Sequence, residues 1–494
     1  MAVSTRADAE SAPTSTYGVR FGTTTGHRAG AMTLATPPSE QGVNPDGIAR
    51  FLDAIEADPG IEPHGLIIQR HGRRIAEGHW QPHDGRRSRL LYSLSKTFTG
   101  TALALQIGEG RLSLDDLVSD HLPEAFDGAA PGLRGLRIRH IASMSSGHNR
   151  ETMGEANALD PGDPVRGFLR IPPDAEPGTL FAYNQPPVIT LATILQKLAG
   201  ERLVDYLRPR LFDPLGIGDV RSQQLRSGID LGYSGIHTNL DAVARLGQLY
   251  LDDGVHEGRR LLPQGWVRQA SQLQISNAQN TEPDWQQGYG FQLWVSRHGY
   301  RGDGAYGQYM VVLPEQDAVI AMVSCTPNMQ TVLDLMWTHL LPAMTDDGAP
   351  NASADQRLAD RLASLSLPTA QARLGGGIVS PTHASFSAAP HGANSHRSIT
   401  SISANGSSLT IHEGEQSLEV PLSTAWTRNA QDTIAASAAQ LGDGRIVVDL
   451  AMLDTPHRLE ITLRPETRTF ETGWLVQPLF GAGNRKRIAS MHAP

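Results

Sequence analysis

The chain has 494 residues, with 42 basic and 51 acidic side chains and a formal net charge of −9. At roughly 100–200 residues per domain this length suggests two or three domains, and a hydrophobic content of 39% supplies ample core. The mild acidity argues against a nucleic-acid partner, whose footprint would be basic and clustered. No run of about 18 apolar residues exists, so no membrane span is expected.

In chain order, residues 1–38 are rich in Thr, Ser, Ala and Gly without periodicity and are expected to form a flexible tail. The start MAVSTRADAESAPTSTYG has no apolar h-region, so no signal peptide is expected. Cys325 is the only cysteine, which rules out an intrachain disulfide and a Cys-based zinc site and suits a cytoplasmic protein. Asn44-Pro45-Asp46 reads as a helix cap, and Ile48, Phe51, Leu52 and Ile55 then share one helical face. His64–Trp80 reads as two strands joined by a tight turn at His71-Gly72. A helix is expected from about Ser93, another from Leu195 until Pro214, and an amphipathic one over Asp241–Leu251. Gly288–Cys325 reads as three strands, and Thr331–Met344 as a closing helix. Strands at both ends with helices between them predict an α+β domain whose mostly antiparallel sheet draws on both ends of the segment.

Composition shifts after Met344. Residues 346–397 read as a linker with one short helix, and Gly375-Gly376-Gly377 begins a turn. From about Ser398 short β-rich runs alternate with turn residues, which predicts a small antiparallel sandwich or barrel over 398–494.

Most chemical motifs are absent: no phosphate-binding loop, no His-Glu-x-x-His helix and no Gly-x-Ser-x-Gly elbow. The histidines are scattered. His391 and His396 sit in a Ser/Gly loop and are not read as metal ligands, and Asp115-Asp116 reads as a solvated helix start. No metal or cofactor is expected. Of the basic residues only Lys96, Lys197 and Lys486 are lysines. Arginine stays protonated, so any basic-amine chemistry must come from one of these three. Lys96 lies in Tyr92-Ser93-Leu94-Ser95-Lys96-Thr97-Phe98-Thr99-Gly100, where Ser93 and Lys96 are three apart and share a helical face. Ser93 at a helix N-terminus would feel the positive end of the dipole, and a desolvated Lys96 could accept its proton. Ser-x-x-Lys alone is a weak signal, and a capping serine beside a surface lysine is the plain alternative.

Context decides between them. The block from Ser93 to Gly100 resembles the nucleophile-helix start of the serine β-lactamase and penicillin-binding-protein-like hydrolases, in the class C β-lactamase and esterase branch. Further blocks are similar to that family in the same order: Arg111–Asp116 with Leu122-Pro123-Glu124, Leu136–Ile141, Met144–His148, Pro177–Gln185, Phe212–Ile217, and Gly302-Asp303-Gly304 ahead of Pro314-Glu315. The resemblance spans roughly residues 41–345 and does not reach the C-terminal part of the chain. It implies a β-lactamase/transpeptidase-like domain over residues 39–345, followed by a small all-β domain. It also implies Ser93 as nucleophile, Lys96 as its base and Tyr183 as proton shuttle. The implied oxyanion hole is the backbone N–H groups of Ser93 and Ala305, and the implied substrate-binding positions are Gln185, Gly302, Asp303 and Gly304.

Two departures stand out. Gln185 replaces the usual Asn of the second motif, and Gly302 replaces the Lys or His that pairs with a substrate carboxylate. Arg301 on a strand would point to the opposite face, which leaves Arg297 and His298 as candidate cations. Asp303, if inward, would favour neutral or cationic substrates. The expectation is a serine hydrolase of an ester or amide in a small molecule or short peptide, without a nucleic-acid or membrane partner. An acyltransferase using the same acyl-enzyme, and a non-catalytic receptor on the same fold, are the rivals.

Overall fold

The computed structural model describes residues 36–345, 349–380, 382–390 and 394–479. Helix α1 (Pro45–Ala57) starts as its sequence dictates: the Asn44 side chain accepts the Asp46 N–H at 3.0 Å, and Ile48, Phe51, Leu52 and Ile55 are buried. It packs on a six-stranded antiparallel sheet built from β1 (Glu62–Arg70), β2 (Arg73–His79), β3 (Trp294–Val295), β4 (Tyr300–Gly304), β5 (Gln308–Leu313) and β6 (Ala318–Cys325), in the order β2-β1-β6-β5-β4-β3. The β1–β2 hairpin turns at His71-Gly72, where both φ angles are positive (50° and 67°). The first and last parts of the segment meet where β1 pairs with β6, Leu66 opposite Met322.

The sheet is covered on both faces, and its side chains alternate accordingly. Leu66, Ile68, Val311, Ile320 and Met322 face α1 and the closing helical turns at Met329–Ala343. Ile67, Met310, Val312, Ala321 and Val323 face a core shared with α2 (Ser95–Gly108), α3 (Gln185–Ala199) and α4 (Leu240–Leu251). The helix expected to run to Pro214 ends at Gly200 (φ 72°), because a left-handed residue cannot continue it, and a separate helix, Leu203–Leu207, follows. Four strands, not three, fill Gly288–Cys325, since Tyr300–Gly304 pairs with both β3 and β5.

Between residues 349 and 380 lie α5 (Ala352–Ala363) and the short helix Ala370–Leu374, closed by Gly375 at φ 68°. The second sheet has nine strands: β7 (Thr382–Ala388), β8 (Ser401–Gly406), β9 (Ser408–Glu413), β10 (Gln416–Pro421), β11 (Thr427–Arg428), β12 (Ile434–Gln440), β13 (Ile446–Met452), β14 (Arg458–Arg464) and β15 (Thr469–Trp474). Their order is β10-β9-β8-β7-β15-β14-β13-β12-β11. All pairs are antiparallel except β7–β15. The sheet curls until Ala438 donates to Ser423 O at 2.6 Å near its two ends, forming a near-barrel around Phe386, Ile402, Ile411, Val448, Leu450 and Ile461. No helix among the described residues is long and apolar enough to cross a membrane.

Candidate active site

Ser93 lies in a single 3-10 turn, Tyr92–Leu94, that runs directly into α2. The serine therefore sits at the positive end of a 14-residue helix, where a developing anion is stabilised. One turn on, Lys96 is 1% exposed. Its Nζ donates to Ser93 Oγ at 3.0 Å, to Gln185 Oε1 at 2.8 Å and to the Tyr233 carbonyl at 2.8 Å. All three acceptors are neutral. Burial therefore dominates and pulls the ammonium down to about 7, against a smaller upward pull from Glu151 and Asp303. A lysine lowered this far has a neutral fraction at neutral pH, which is what general-base action on the adjacent hydroxyl would need.

Tyr183 and Gln185 are brought in by the entry into α3. The Asn184 side chain between them is fully buried, and its Oδ1 accepts the Thr152 N–H at 2.9 Å and hydroxyl at 3.0 Å. That tether turns Tyr183 and Gln185 toward α2. Tyr183 lies beside the Ser93 hydroxyl, its ring 4.7 Å from Lys96 Nζ and stacked on Trp294 at 5.2 Å and 18°. Burial, with Asp303, pushes its phenol well above the usual range, so it remains a proton donor. Phe181, Tyr289, Trp294 and Met144 form a buried apolar wall beside it.

Strand β4 explains its glycines. A Cβ on Gly304 would lie 2.1 Å from the Leu91 carbonyl, and one on Gly302 would lie 2.2 Å from Thr97 Oγ1 and 2.7 Å from Leu94 Cδ1. Both α-carbons thus press on the turn and helix that carry Ser93, and only glycine permits that approach. It brings the end of β4, and Ala305 just beyond it, against the backbone of Leu91–Leu94. A side chain at position 302 would have to displace Thr97 and Leu94.

Arg301 and Asp303 share the other face of β4. The guanidinium is fully buried, 3.0 Å from Asp303 Oδ2 and 4.4 Å over the Trp285 ring. Asp303 also accepts Trp294 Nε1 at 3.0 Å. The carboxylate so fixes the indole on which Tyr183 stacks. The other candidate cations are engaged elsewhere. Arg297 is held by Asp284 at 2.8 Å and by Asp334, and His298 packs edge-on against Trp337.

Sequence reasoning missed Glu151. Its carboxylate accepts the Gln185 N–H at 3.0 Å and the Met153 N–H at 2.8 Å, at an exposed rim of the site beside Lys96. Crowding by surrounding protein outweighs those bonds and raises its pKa. Its signal was thin, one acid in a polar loop.

The residues set aside earlier stay apart from this site. Asp116 accepts Ser113 N–H at 2.9 Å and pairs with His121, Asp115 pairs with Arg139, and His396 pairs with Glu413 at 2.9 Å. His391 and Lys486 lie outside the described residues, and Lys197 pairs with Glu124. Glu62, His64 and His83 cluster closely enough to suggest a cation site. Arg89, however, donates to His64 Nδ1 at 2.7 Å, which puts the imidazole proton on Nε2 facing Glu62, and Arg458 pairs with Glu62 at 2.8 Å. Two guanidinium groups already supply the positive charge there.

Residues 48–341 match the family described as Beta-lactamase. A 6-aminohexanoate-dimer hydrolase of Paenarthrobacter ureafaciens is 26% identical over 265 residues, covering 49% of this chain and 67% of that protein. Penicillin-binding protein 4 of Amycolatopsis lactamdurans is 26% identical over 272 residues, covering 47% and 70%. Among solved structures, a penicillin-binding protein homologue from Caulobacter crescentus has a TM-score of 0.50 at 17% identity, over 60% of this chain and 99% of that one. EstCE1, a hydrolase with promiscuous acyltransferase activity, has a TM-score of 0.50 at 19% identity, over 59% and 99%. Such identities show the shared fold.

Proposed function

This chain belongs to the β-lactamase family, and on that premise we propose that it is a serine hydrolase that cleaves an ester or amide through an acyl-enzyme on Ser93. The observation that carries the reading is the contact between a buried lysine with its pKa near 7 and the Ser93 hydroxyl, 3.0 Å apart under the Tyr183 phenol. Neutral Lys96 takes the Ser93 proton as Oγ attacks the substrate carbonyl. The oxyanion that forms is held by the Ser93 and Ala305 N–H groups at the head of α2. Tyr183, kept protonated by burial, gives its proton to the leaving alcohol or amine and is reprotonated from Lys96. A water then attacks the acyl group by the same groups in reverse, which frees Ser93.

The substrate we infer is a small neutral or cationic ester or amide. Position 302 supplies no cation for a carboxylate, Arg297 and His298 are engaged elsewhere, and Glu151 stands at the rim. One relative is by name a hydrolase of the 6-aminohexanoate dimer, which supports an acyl bond in a small molecule as the target. The test is pre-steady-state kinetics on an activated aryl ester. About one equivalent of phenol should appear in a burst before steady turnover, and Ser93→Ala should show neither phase. Turnover in Ser93→Ala within tenfold of the unaltered enzyme would refute the reading.

A further inference from the structure

Tyr92, the residue before Ser93, has φ of 49°, and Tyr306, the residue after Ala305, has φ of 70°. Bulky side chains take this left-handed backbone only where surrounding contacts impose it. The two N–H groups assigned to the oxyanion hole are therefore each flanked by a strained tyrosine. Both tyrosine side chains point toward the second sheet. Their rings meet edge to face at 5.1 Å, and His457, just before β14, packs on both, at 5.9 Å from Tyr92 and 4.8 Å from Tyr306.

The contacts are polar as well as aromatic. The Tyr92 hydroxyl lies 2.6 Å from His457 Nε2, and the Tyr306 hydroxyl donates to the Gln477 carbonyl at 2.9 Å. Trp474, at the end of β15, backs the imidazole at 5.9 Å. Upstream, Leu90 N–H donates to the Asp454 carbonyl at 2.8 Å. Tyr92, Tyr306 and His457 are all buried. Burial, with Arg89, lowers His457 to about 3, and burial raises the Tyr92 phenol, so a protonated phenol donates to a neutral ring.

We propose that the C-terminal β domain is part of the catalytic apparatus: His457, through Tyr92 and Tyr306, holds the Ser93 and Ala305 N–H groups in oxyanion-hole geometry. His457 is then a positioning residue, since nothing places it against substrate. The proposal rests on the acyl-enzyme reading of Ser93 and assigns a role to a domain which that reading leaves idle.

The test follows labelling of the full chain by a fluorophosphonate, whose phosphoryl oxygen occupies the oxyanion hole, resolved into a maximal rate and a half-saturating concentration. Tyr92→Phe and His457→Leu should each lower the maximal rate by about tenfold to a hundredfold, short of the hundred- to thousandfold that losing a whole donor costs. The half-saturating concentration should stay within about threefold, and the double variant should be no slower than the worse single one, as for residues acting as one unit. His457→Gln, whose amide oxygen still accepts a hydrogen bond, should recover most of the loss. Variants that label at the unaltered rate overturn the proposal, as does a His457→Gln as slow as His457→Leu. If His457→Leu does not fold, Tyr92→Phe, which loses one oxygen, decides alone. An unaltered chain that does not label at all overturns the acyl-enzyme reading and this proposal with it, a result distinct from any variant effect.

Discussion

Lys96 is the residue whose surroundings say most about the chemistry. Its three hydrogen-bond acceptors are neutral, so nothing at contact distance offsets the cost of burying a charge. With the base neutral above its pKa of about 7, kcat/KM should rise through that value and hold level above it. Lys96→Arg, which cannot deprotonate, should be inactive at every pH. Gln185→Glu would put a carboxylate at a contact now 2.8 Å long, favour the ammonium, and move the acidic limb upward by about one unit or more. A limb that stays in place in Gln185→Glu would contradict Lys96 as the titrating group. The substitution of Gln for the family's Asn at 185 thus has a reading that sequence alone lacked: the longer side chain still reaches Lys96. Ser93 and Lys96 stood out as a Ser-x-x-Lys pair only through the ordered blocks of the family resemblance, which alone pointed to Tyr183; the structure brings the three side chains together. Asp303 was legible only as a charge, because its bonds to Arg301 and Trp294 depend on strand pairing. With matched aryl esters differing only in charge, the neutral or ammonium-bearing one should exceed the carboxylate-bearing one in kcat/KM by about tenfold, roughly what an absent charge-assisted bond is worth.

At the level of elements, the contact between β4 and α2 governs the site. Gly302→Ala sets a methyl against Thr97 and Leu94, and overpacking of this kind costs about 1–3 kcal/mol. Thermal melts should show that loss together with reduced activity. Thr97 Oγ1 is buried without a hydrogen-bond partner, so Thr97→Ala should cost little alone and should restore part of the Gly302→Ala loss. A strictly additive pair would show that the two residues do not meet. Replacing Gly302 with Lys, which would restore the family's cation, meets the same Thr97 and Leu94 contact. The β1–β2 hairpin and α1 were readable because a tight turn and a cap are local signals. Strand β12 was not readable: Ile434–Gln440 is mostly alanine, a helix former, and becomes a strand only because β13 and β11 pair with it. Strand β4 was placed only through the family resemblance, because its two glycines, which pack closely against α2 and the turn before it, weaken any local strand pattern.

Across the whole molecule, the second sheet is joined to the first domain by buried charge. Arg458 pairs with Glu62 at 2.8 Å and with Asp449 at 3.4 Å, while Arg373 pairs with Asp449 at 2.9 Å and Glu460 at 2.6 Å. Arg458→Met would leave Glu62 and Asp449 short of a partner, at a cost of about 3–5 kcal/mol. Calorimetry should show a lower first transition, and a melt that matches the unaltered chain would mean the network holds nothing together. The contacts between the two domains were not legible in the sequence: Tyr92 and His457, for example, are 365 positions apart and no local pattern links them. The central claim, an acyl-enzyme on Ser93, is tested most directly by intact-mass and peptide mapping after fluorophosphonate treatment. The structure predicts one adduct, on the peptide holding Ser93, formed faster as pH rises through about 7 and absent from Ser93→Ala. An adduct on another residue, or one that persists in Ser93→Ala, would contradict it.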